Sequence, residues 1–255
     1  MSILSTTLFS GRASYYAEHR PSYPLAALDV LRSEIPTPAD AADIGAGTGI
    51  FSRALVQAGY RTVAVEPNAD MRAEAASSTE AGDLRVVDGS GEETTLEAGS
   101  IDLVTVAQAF HWLKRDEAKR EFRRISRPGG VIAIVWNARQ FEANEFMKGY
   151  RAMLLQHAPE YQAMKNSFWK TLDGDVSQFL GSASVRHTFV NPQIITRESM
   201  LGNLLSTSYV PKSGTTGYEE LVETANRLFD THQQDDRVVF ELKTVMHTGN
   251  VADLA

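Results

Sequence analysis

Between Ala39 and Asn137 short apolar runs alternate with stretches whose apolar residues recur at helical spacing. "AADIGA" reads as a short, alanine-rich strand, and "FSRALVQAG" (Phe51 to Gly59) as a helix stopped by glycine. "RTVAVEP" is a buried strand closed by an acid and a proline, "MRAEAASS" a short helix, and "LRVVDGS" a strand broken at glycine. "SIDLVTVAQAF" is apolar along its length, as in a strand covered on both faces. "RDEAKREFRRIS" is an amphipathic helix, and "RPGG" turns the chain into "VIAIVWN", the most hydrophobic strand. This alternation predicts an α/β fold: a doubly wound, parallel sheet with helices on both faces and right-handed crossovers.

The flanks follow other patterns. "GRASYYAEHRPSYPLAALDVLRSEIP" predicts a helix pair broken at Arg20-Pro21 and stopped near Pro36. Ala138 to Gly181 is helical, rich in aromatic residues and Met, with no strand pattern. "SVRHTFVNPQ" resumes a strand, "RESMLGNLLSTSYVP" and "GYEELVETANRLFDTHQQ" are helices, and "RVVFELKTVMHTG" alternates like an antiparallel edge strand. The segment between the fifth and sixth strands is too long for a simple connection and predicts a lid. No internal repeat or low-complexity run interrupts the chain.

Composition narrows the partners. The chain has 255 residues, 43% of them hydrophobic, enough for one large domain with a buried core. Its 32 acids outnumber its 25 bases for a formal charge of -7, and no Lys/Arg run appears, which argues against nucleic acid and anionic membranes. Cysteine is absent, so disulfides, thiolate zinc sites and cysteine nucleophiles are excluded. The N-terminal stretch lacks a signal-peptide pattern, and no apolar run approaches the roughly 20 residues of a bilayer span. The expectation is a soluble cytoplasmic protein.

The chemistry starts at "ADIGAGTGIFSRAL". Gly45, Gly47 and Gly49 form GxGxG between a strand and a helix, Asp43 precedes them, and Glu66 ends the next strand about 20 residues on. Glycines let the backbone approach a ligand without a Cβ clash, and an acid at that distance accepts hydrogen bonds from a ribose diol. The dinucleotide fingerprint needs a third glycine where Ile50 stands, and Asp43 would repel a pyrophosphate. Both residues favour a ligand with a positively charged methionine end, S-adenosylmethionine. A tight strand–helix turn with an incidental acid is the alternative.

"DIGAGTG", "VEPNADM", "GSIDLVTVAQAFHW" and "ISRPGGVIAIVWN" together resemble the class I S-adenosylmethionine-dependent methyltransferases, in particular the small-molecule group that includes trans-aconitate and ubiquinone/menaquinone-biosynthesis methyltransferases. The resemblance covers Ala39 to Asn137; "YAEHRPSYP" is similar to an N-terminal feature of the group, and the C-terminal half matches in layout only. It implies a seven-stranded, mostly parallel sheet with an antiparallel last strand. It also implies an organisation of N-terminal cap helices (1–37), a cofactor-binding core (38–138), a helical lid (139–183), and two final strands with embedded helices (184–255), forming one domain overall. Asp43 and Gly45 would lie by the methionine part, Gly47 would pack close, and Glu66 would hold the ribose. Pro67, Asn68 and Met71 would border the adenine. Where the family carries an acid this chain has Ser90, so adenine recognition would pass to Ser90, Gly91 and Glu92; a solvated helix-start role is equally open for Glu92.

In such a sheet the ligand sits at the carboxyl ends of the strands, at the switch in strand order. Backbone oxygens near Ala107 and Gln108 would hold the ammonium, and the Gln108 amide serves cofactor or substrate. Phe110 reads as core. His111 is the titratable candidate there, as a proton acceptor or as an orienting group for a substrate oxygen, with a helix-cap or packed histidine as the alternative. Trp112 is either pocket wall or core. In the N-terminal segment Arg20 suits the cofactor carboxylate, and Tyr15, Tyr16 and Tyr23 offer aromatic faces to a sulfonium, or simply pack on the core. Phe168, Trp169, Ser208 and Tyr209 are lid candidates for substrate contact. The histidines show no ligand spacing, so no metal is expected.

Methyl transfer from a sulfonium is an in-line displacement, so the protein mainly aligns reactants and excludes water. The expectation is a methyltransferase acting on a small-molecule acceptor, at oxygen more than at nitrogen or carbon. An NAD(P)-dependent oxidoreductase and a non-catalytic S-adenosylmethionine-binding protein are the competing readings. Monomer and homodimer both stay open, because the last antiparallel strand is either a free edge or a contact.

Overall fold

The strands sort their residues by the period of two that a pleated sheet imposes. In the computed structural model, which describes residues 20–77 and 84–254 (the backbone alone over 162–171), Ala42 and Ile44 of β1 (Asp40–Ile44) join one apolar core and Ala41 joins another. β5 (Ser126–Arg139) divides the same way: Ile132, Ile134 and Trp136 face the first core, Val131, Ala133 and Val135 the second. A strand apolar on both sides must be covered on both sides. α1 (Leu25–Glu34) and α2 (Ile50–Gln57) cover the second face through Leu28, Leu31, Phe51 and Leu55. The first face is covered by α4 (Arg115–Ile125), through Phe122 and Ile125. α4 also carries Asp116 and Glu117 in its first turn and Arg123 and Arg124 in its last, matching the helix dipole.

β2 (Arg61–Val65), α3 (Ala69–Ser77), β3 (Leu84–Val87) and β4 (Ile101–Ala107) complete the alternation. The order across the sheet is β3-β2-β1-β4-β5-β9-β6, where β6 is Val185–Val190 and β9 is Leu242–Asn250. β1 to β5 are parallel, and β9 runs antiparallel to both β5 and β6. The sheet therefore has the seven strands and single antiparallel strand expected. The chain leaves β1 toward β2 and later returns to place β4 on the other side of β1, which opens a crevice at that switch.

Two local readings change. "RPGG" is not a turn ahead of β5 but a bulge within it: Ile101 pairs with Ser126 and Leu103 with Val131, and Gly129 takes a φ of +82°. "RVVFELKTVMHTG" is not one edge strand. It divides into β8 (Val238–Phe240), which pairs with β7 (Gln193–Ile195) in a separate ribbon, and β9, which lies inside the sheet; β6 is the edge.

The helices beyond β5 form a core of their own. α5 (Glu145–His157), α7 (Arg197–Leu205) and α8 (Tyr218–His232) pack with the ribbon around Phe146, Tyr150, Met153, Leu204, Phe229 and Phe240. The Asn144 side chain caps α5 by accepting from Met147 N at 2.8 Å, and Thr196 caps α7. α6 (Pro159–Leu180) returns to the sheet, where Val176, Phe179 and Leu180 join the first core. No helix among the described residues is long and apolar enough to cross a membrane.

Candidate functional site

The glycine loop owes its shape to three left-handed residues, Gly45 (φ +66°), Gly47 (+57°) and Gly49 (+79°). Each would be strained as any other residue. The loop hangs from β2, since Gly45 N and Ala46 N both donate to the Val65 carbonyl. A Cβ built on Gly47 meets no protein atom within 4 Å, so this backbone faces open space. The neighbouring Thr48 hydroxyl is buried without a hydrogen-bond partner among the described residues.

Glu66 stands beside the loop. Its carboxylate accepts from Gly47 N at 2.8 Å and Asn68 N at 2.9 Å, and the Asn68 side chain caps α3 through Met71 N. Burial raises the Glu66 carboxyl above its ordinary value, against the opposing pull of the Asn68 and Gly47 N–H groups. Glu66, Pro67 and Met71 line the same cavity as Gly45 and Gly47.

Asp43 is placed differently from its expected role. Its parity on β1 turns it toward α2, where it is fully buried, accepting from Ser52 Oγ at 2.6 Å and Thr105 Oγ1 at 2.8 Å. It lies beneath the loop and not in the cavity wall. Burial raises its carboxyl to about 6, only partly offset by the two hydroxyl donors. Ser90, Gly91 and Glu92 are also off the wall. The Ser90 hydroxyl accepts from the backbone of Glu92 and Glu93, Glu92 accepts from Lys114 N at 2.8 Å, and Gly91 packs so tightly that a Cβ would sit 2.3 Å from Leu113 Cδ2. Local turn bonding fixes the shape of this segment.

At the end of β4, Gln108 takes φ +59°, a left-handed backbone on a non-glycine residue, and its N–H donates to Val135 O at 2.8 Å. Ala107, Gln108 and Trp112 line the cavity. Phe110 is buried edge-on to Phe179 at 5.1 Å, as the core reading expects. His111 lines the cavity with exposed surface, its ring 4.5 Å from that of Trp112. Burial, and then the Arg115 charge, push its pKa down to about 4, so the imidazole is neutral at physiological pH.

The cavity, about 970 Å³, continues past β5 into the helical core. Tyr23 lines it and packs edge-on to Phe51 at 4.7 Å. Arg20 also lines it, but its guanidinium donates to Ser206 Oγ at 3.0 Å and to the Ser206 carbonyl, tying the N-terminal segment to the end of α7. Ser208 and Tyr209 stand in the wall, and the Tyr209 hydroxyl accepts from Arg139 Nη1. Tyr15, Tyr16 and the side chains of Phe168 and Trp169 lie outside the described residues.

Arg139 is the residue that sequence reasoning missed. It ends β5, half-buried in the cavity wall, with Nη2 donating to Asn203 Oδ1 at 3.3 Å and the rings of Tyr150 and Phe240 under its guanidinium at 5.6 and 5.9 Å. Burial opposes its charge, but the phenols of Tyr209, Tyr150 and Tyr161 outweigh this and hold its pKa above the ordinary value.

A glycine loop after β1, an acid after β2 and a cavity at the sheet's switch point define a nucleoside-binding, doubly wound fold. The sequence profile of the methyltransferase-domain family matches residues 42–134. An uncharacterised methyltransferase of Mycobacterium tuberculosis is 39% identical over 136 residues, 51% of this chain and 52% of that protein. The chain thus spans about half the length of the curated relatives it matches. A structure from Anaeromyxobacter dehalogenans, described as a candidate type II methyltransferase, shares the fold with a TM-score of 0.67 and 22% identity, covering 91% of this chain and 98% of that one. Phosphoethanolamine N-methyltransferase 2 of Haemonchus contortus, solved with phosphomonomethylethanolamine and S-adenosylhomocysteine, shares it with a TM-score of 0.54 and 17% identity, covering 97% and 58%.

Proposed function

We propose that this chain binds S-adenosylmethionine at the glycine loop and transfers its methyl group to a small-molecule acceptor, at oxygen. The observation that carries the reading is a single cavity running from the glycine loop past His111 to Arg139. Its volume is at the upper end of small-molecule sites, room for a donor and an acceptor together.

The residues suit the donor. Gly47 leaves space for close backbone approach, the Thr48 hydroxyl, unpartnered among the described residues, and the Glu66 carboxylate offer polar contacts, and Pro67 and Met71 provide apolar wall. Glu66 is the acceptor for a ribose diol, Ala107 and Gln108 border the methionine end, and Asp43 acts as a positioning residue by holding Ser52 and Thr105. Bound there, the cofactor supplies a methyl group on a cationic sulfur with a good leaving group.

The acceptor end favours oxygen. Glu142 pairs with Arg151, and Asp173 with Arg186 and His247, so these cavity carboxylates are already matched to bases. An ammonium acceptor would instead meet Arg20 and Arg139. His111, neutral and low in basicity, orients an acceptor oxygen by hydrogen bonding, while Tyr23, Trp112 and Tyr209 shape the space and exclude water.

The test is methyl transfer from labelled S-adenosylmethionine to panels of alcohols, phenols, acids and amines, with products identified by mass spectrometry. Ethers or esters support the reading. Label on nitrogen, on carbon or on protein refutes the acceptor assignment, and binding of NAD in place of S-adenosylmethionine refutes the donor.

A further inference from the structure

We infer that Arg139 is an anchor for a carboxylate carried by the acceptor at the end remote from the atom that receives the methyl group. The inference rests on the acceptor reading above and adds the chemical class of the molecule and the residue that selects it.

A guanidinium removed from bulk water needs a counter-charge, since an uncompensated charge in a protein wall is costly. Arg139 has none: no described carboxylate forms an ion pair with it, and its described partners are the Tyr209 phenol and the Asn203 amide oxygen, both neutral. These use two of the five N–H donors a guanidinium carries. Aromatic faces from Tyr150 and Phe240 support the group, and the nearby Tyr150 hydroxyl is itself buried without a partner among the described residues. A planar donor fork backed by aromatic faces, with Arg20 adding positive charge to the same wall, matches one carboxylate in shape and charge. The missing counter-ion therefore arrives with the ligand.

Position separates this anchor from the reacting end. Val135 pairs with Ala107 at the tip of β4, and Arg139 stands four residues further along β5. At strand geometry that is about 13 Å. The guanidinium's partners belong to the helical core: Asn203 and Tyr209 lie on or just after α7, and Tyr150 on α5. An acceptor held there spans the cavity, with its carboxylate at Arg139 and its nucleophilic oxygen near His111. It is an elongated hydroxy acid with an apolar or aromatic middle.

Isothermal titration of the full chain tests this, with and without saturating S-adenosylhomocysteine. The probes are matched pairs: 4-hydroxycinnamate, 3-(4-hydroxyphenyl)propionate and 6-hydroxyhexanoate, each against its own amide. At least one acid is expected to bind at least tenfold tighter than its amide. Arg139→Gln should abolish that preference, Arg139→Lys should retain part of it, and Tyr209→Phe should weaken it, all with S-adenosylhomocysteine affinity unchanged. Equal binding of acids and amides, no binding by any acid, or an acid preference that survives Arg139→Gln overturns the inference. If Arg139→Gln does not fold, the Lys and Phe variants decide: acid binding untouched by both overturns it. Loss of S-adenosylhomocysteine binding by the unaltered protein would instead count against the donor reading, and leaves the acid–amide comparison in the cofactor-free titration to judge the anchor by itself.

Discussion

Replacing Asp43 by Asn isolates the energetic consequence of a carboxylate buried under the glycine loop. Asp43 has no exposed surface, and Ser52 and Thr105 are its hydrogen-bond donors, at 2.6 and 2.8 Å. Burial lifts its pKa from an ordinary 3.8 to about 6. A folded-state pKa above the unfolded one means that stability is fully present at low pH and is lost as the carboxyl ionises in the fold, here between about pH 4 and pH 6. That interval corresponds to about 3 kcal/mol at neutral pH. An asparagine is nearly isosteric, accepts one hydroxyl hydrogen bond, and does not titrate. Urea unfolding at pH 4 and pH 7.5 is the assay: the wild type should lose up to about 3 kcal/mol relative to Asp43→Asn over that range. The variant should also bind S-adenosylhomocysteine at least tenfold more weakly, about 1.4 kcal/mol, because the charge that fixes Ser52 and Thr105 is gone. Parallel stability curves for the two proteins would refute the burial argument, and unchanged affinity would refute the positioning role.

Glu66→Gln should lower S-adenosylhomocysteine affinity by about tenfold or more, because a charged acceptor becomes a neutral one in a buried wall; titration calorimetry decides. Gly91→Ala should destabilise the fold by about 1–3 kcal/mol, since its Cβ would overlap Leu113, and show as a lower urea midpoint. His111 stays neutral down to about pH 4, so the transfer rate should show no inflection from it between pH 5.5 and 8.5. A limb with an apparent pKa of about 6–7 that disappears in His111→Asn would show that it works as a general base.

The binding half of the fold was legible because its signals are local. The GxGxG string, the strand that feeds it and the acid closing the next strand lie within 27 residues, and their conformational demands are met by neighbours. What stayed hidden depends on contacts that a linear pattern does not carry. Asp43 marks the loop, yet its direction follows from strand parity and from Ser52 waiting on α2. Alternation runs unbroken through Val238, Phe240, Leu242 and Thr244, so nothing marks the point where the chain changes sheets. Ser90 to Glu92 depart from the family pattern at Ser90, and their shape depends on Leu113 and the Lys114 backbone, more than twenty positions on. Arg139 sits in "WNARQ", which matches no motif, and meets Asn203 and Tyr209 more than sixty positions later.

The place of β9 has a kinetic consequence. β5 pairs Arg139 with Leu242 and Val131 with Asn250, so its open edge waits for a strand made more than a hundred residues afterwards. β6 depends on the same strand, because β9 is its neighbour in the sheet. During synthesis the first five strands can collapse around β1 while β5 still presents an unpaired, strongly apolar edge. Non-local closure of this kind is slow and leaves such an edge open to pairing with other chains. Yield in recombinant expression should therefore respond more to chaperones and lower temperature than to changes near the glycine loop.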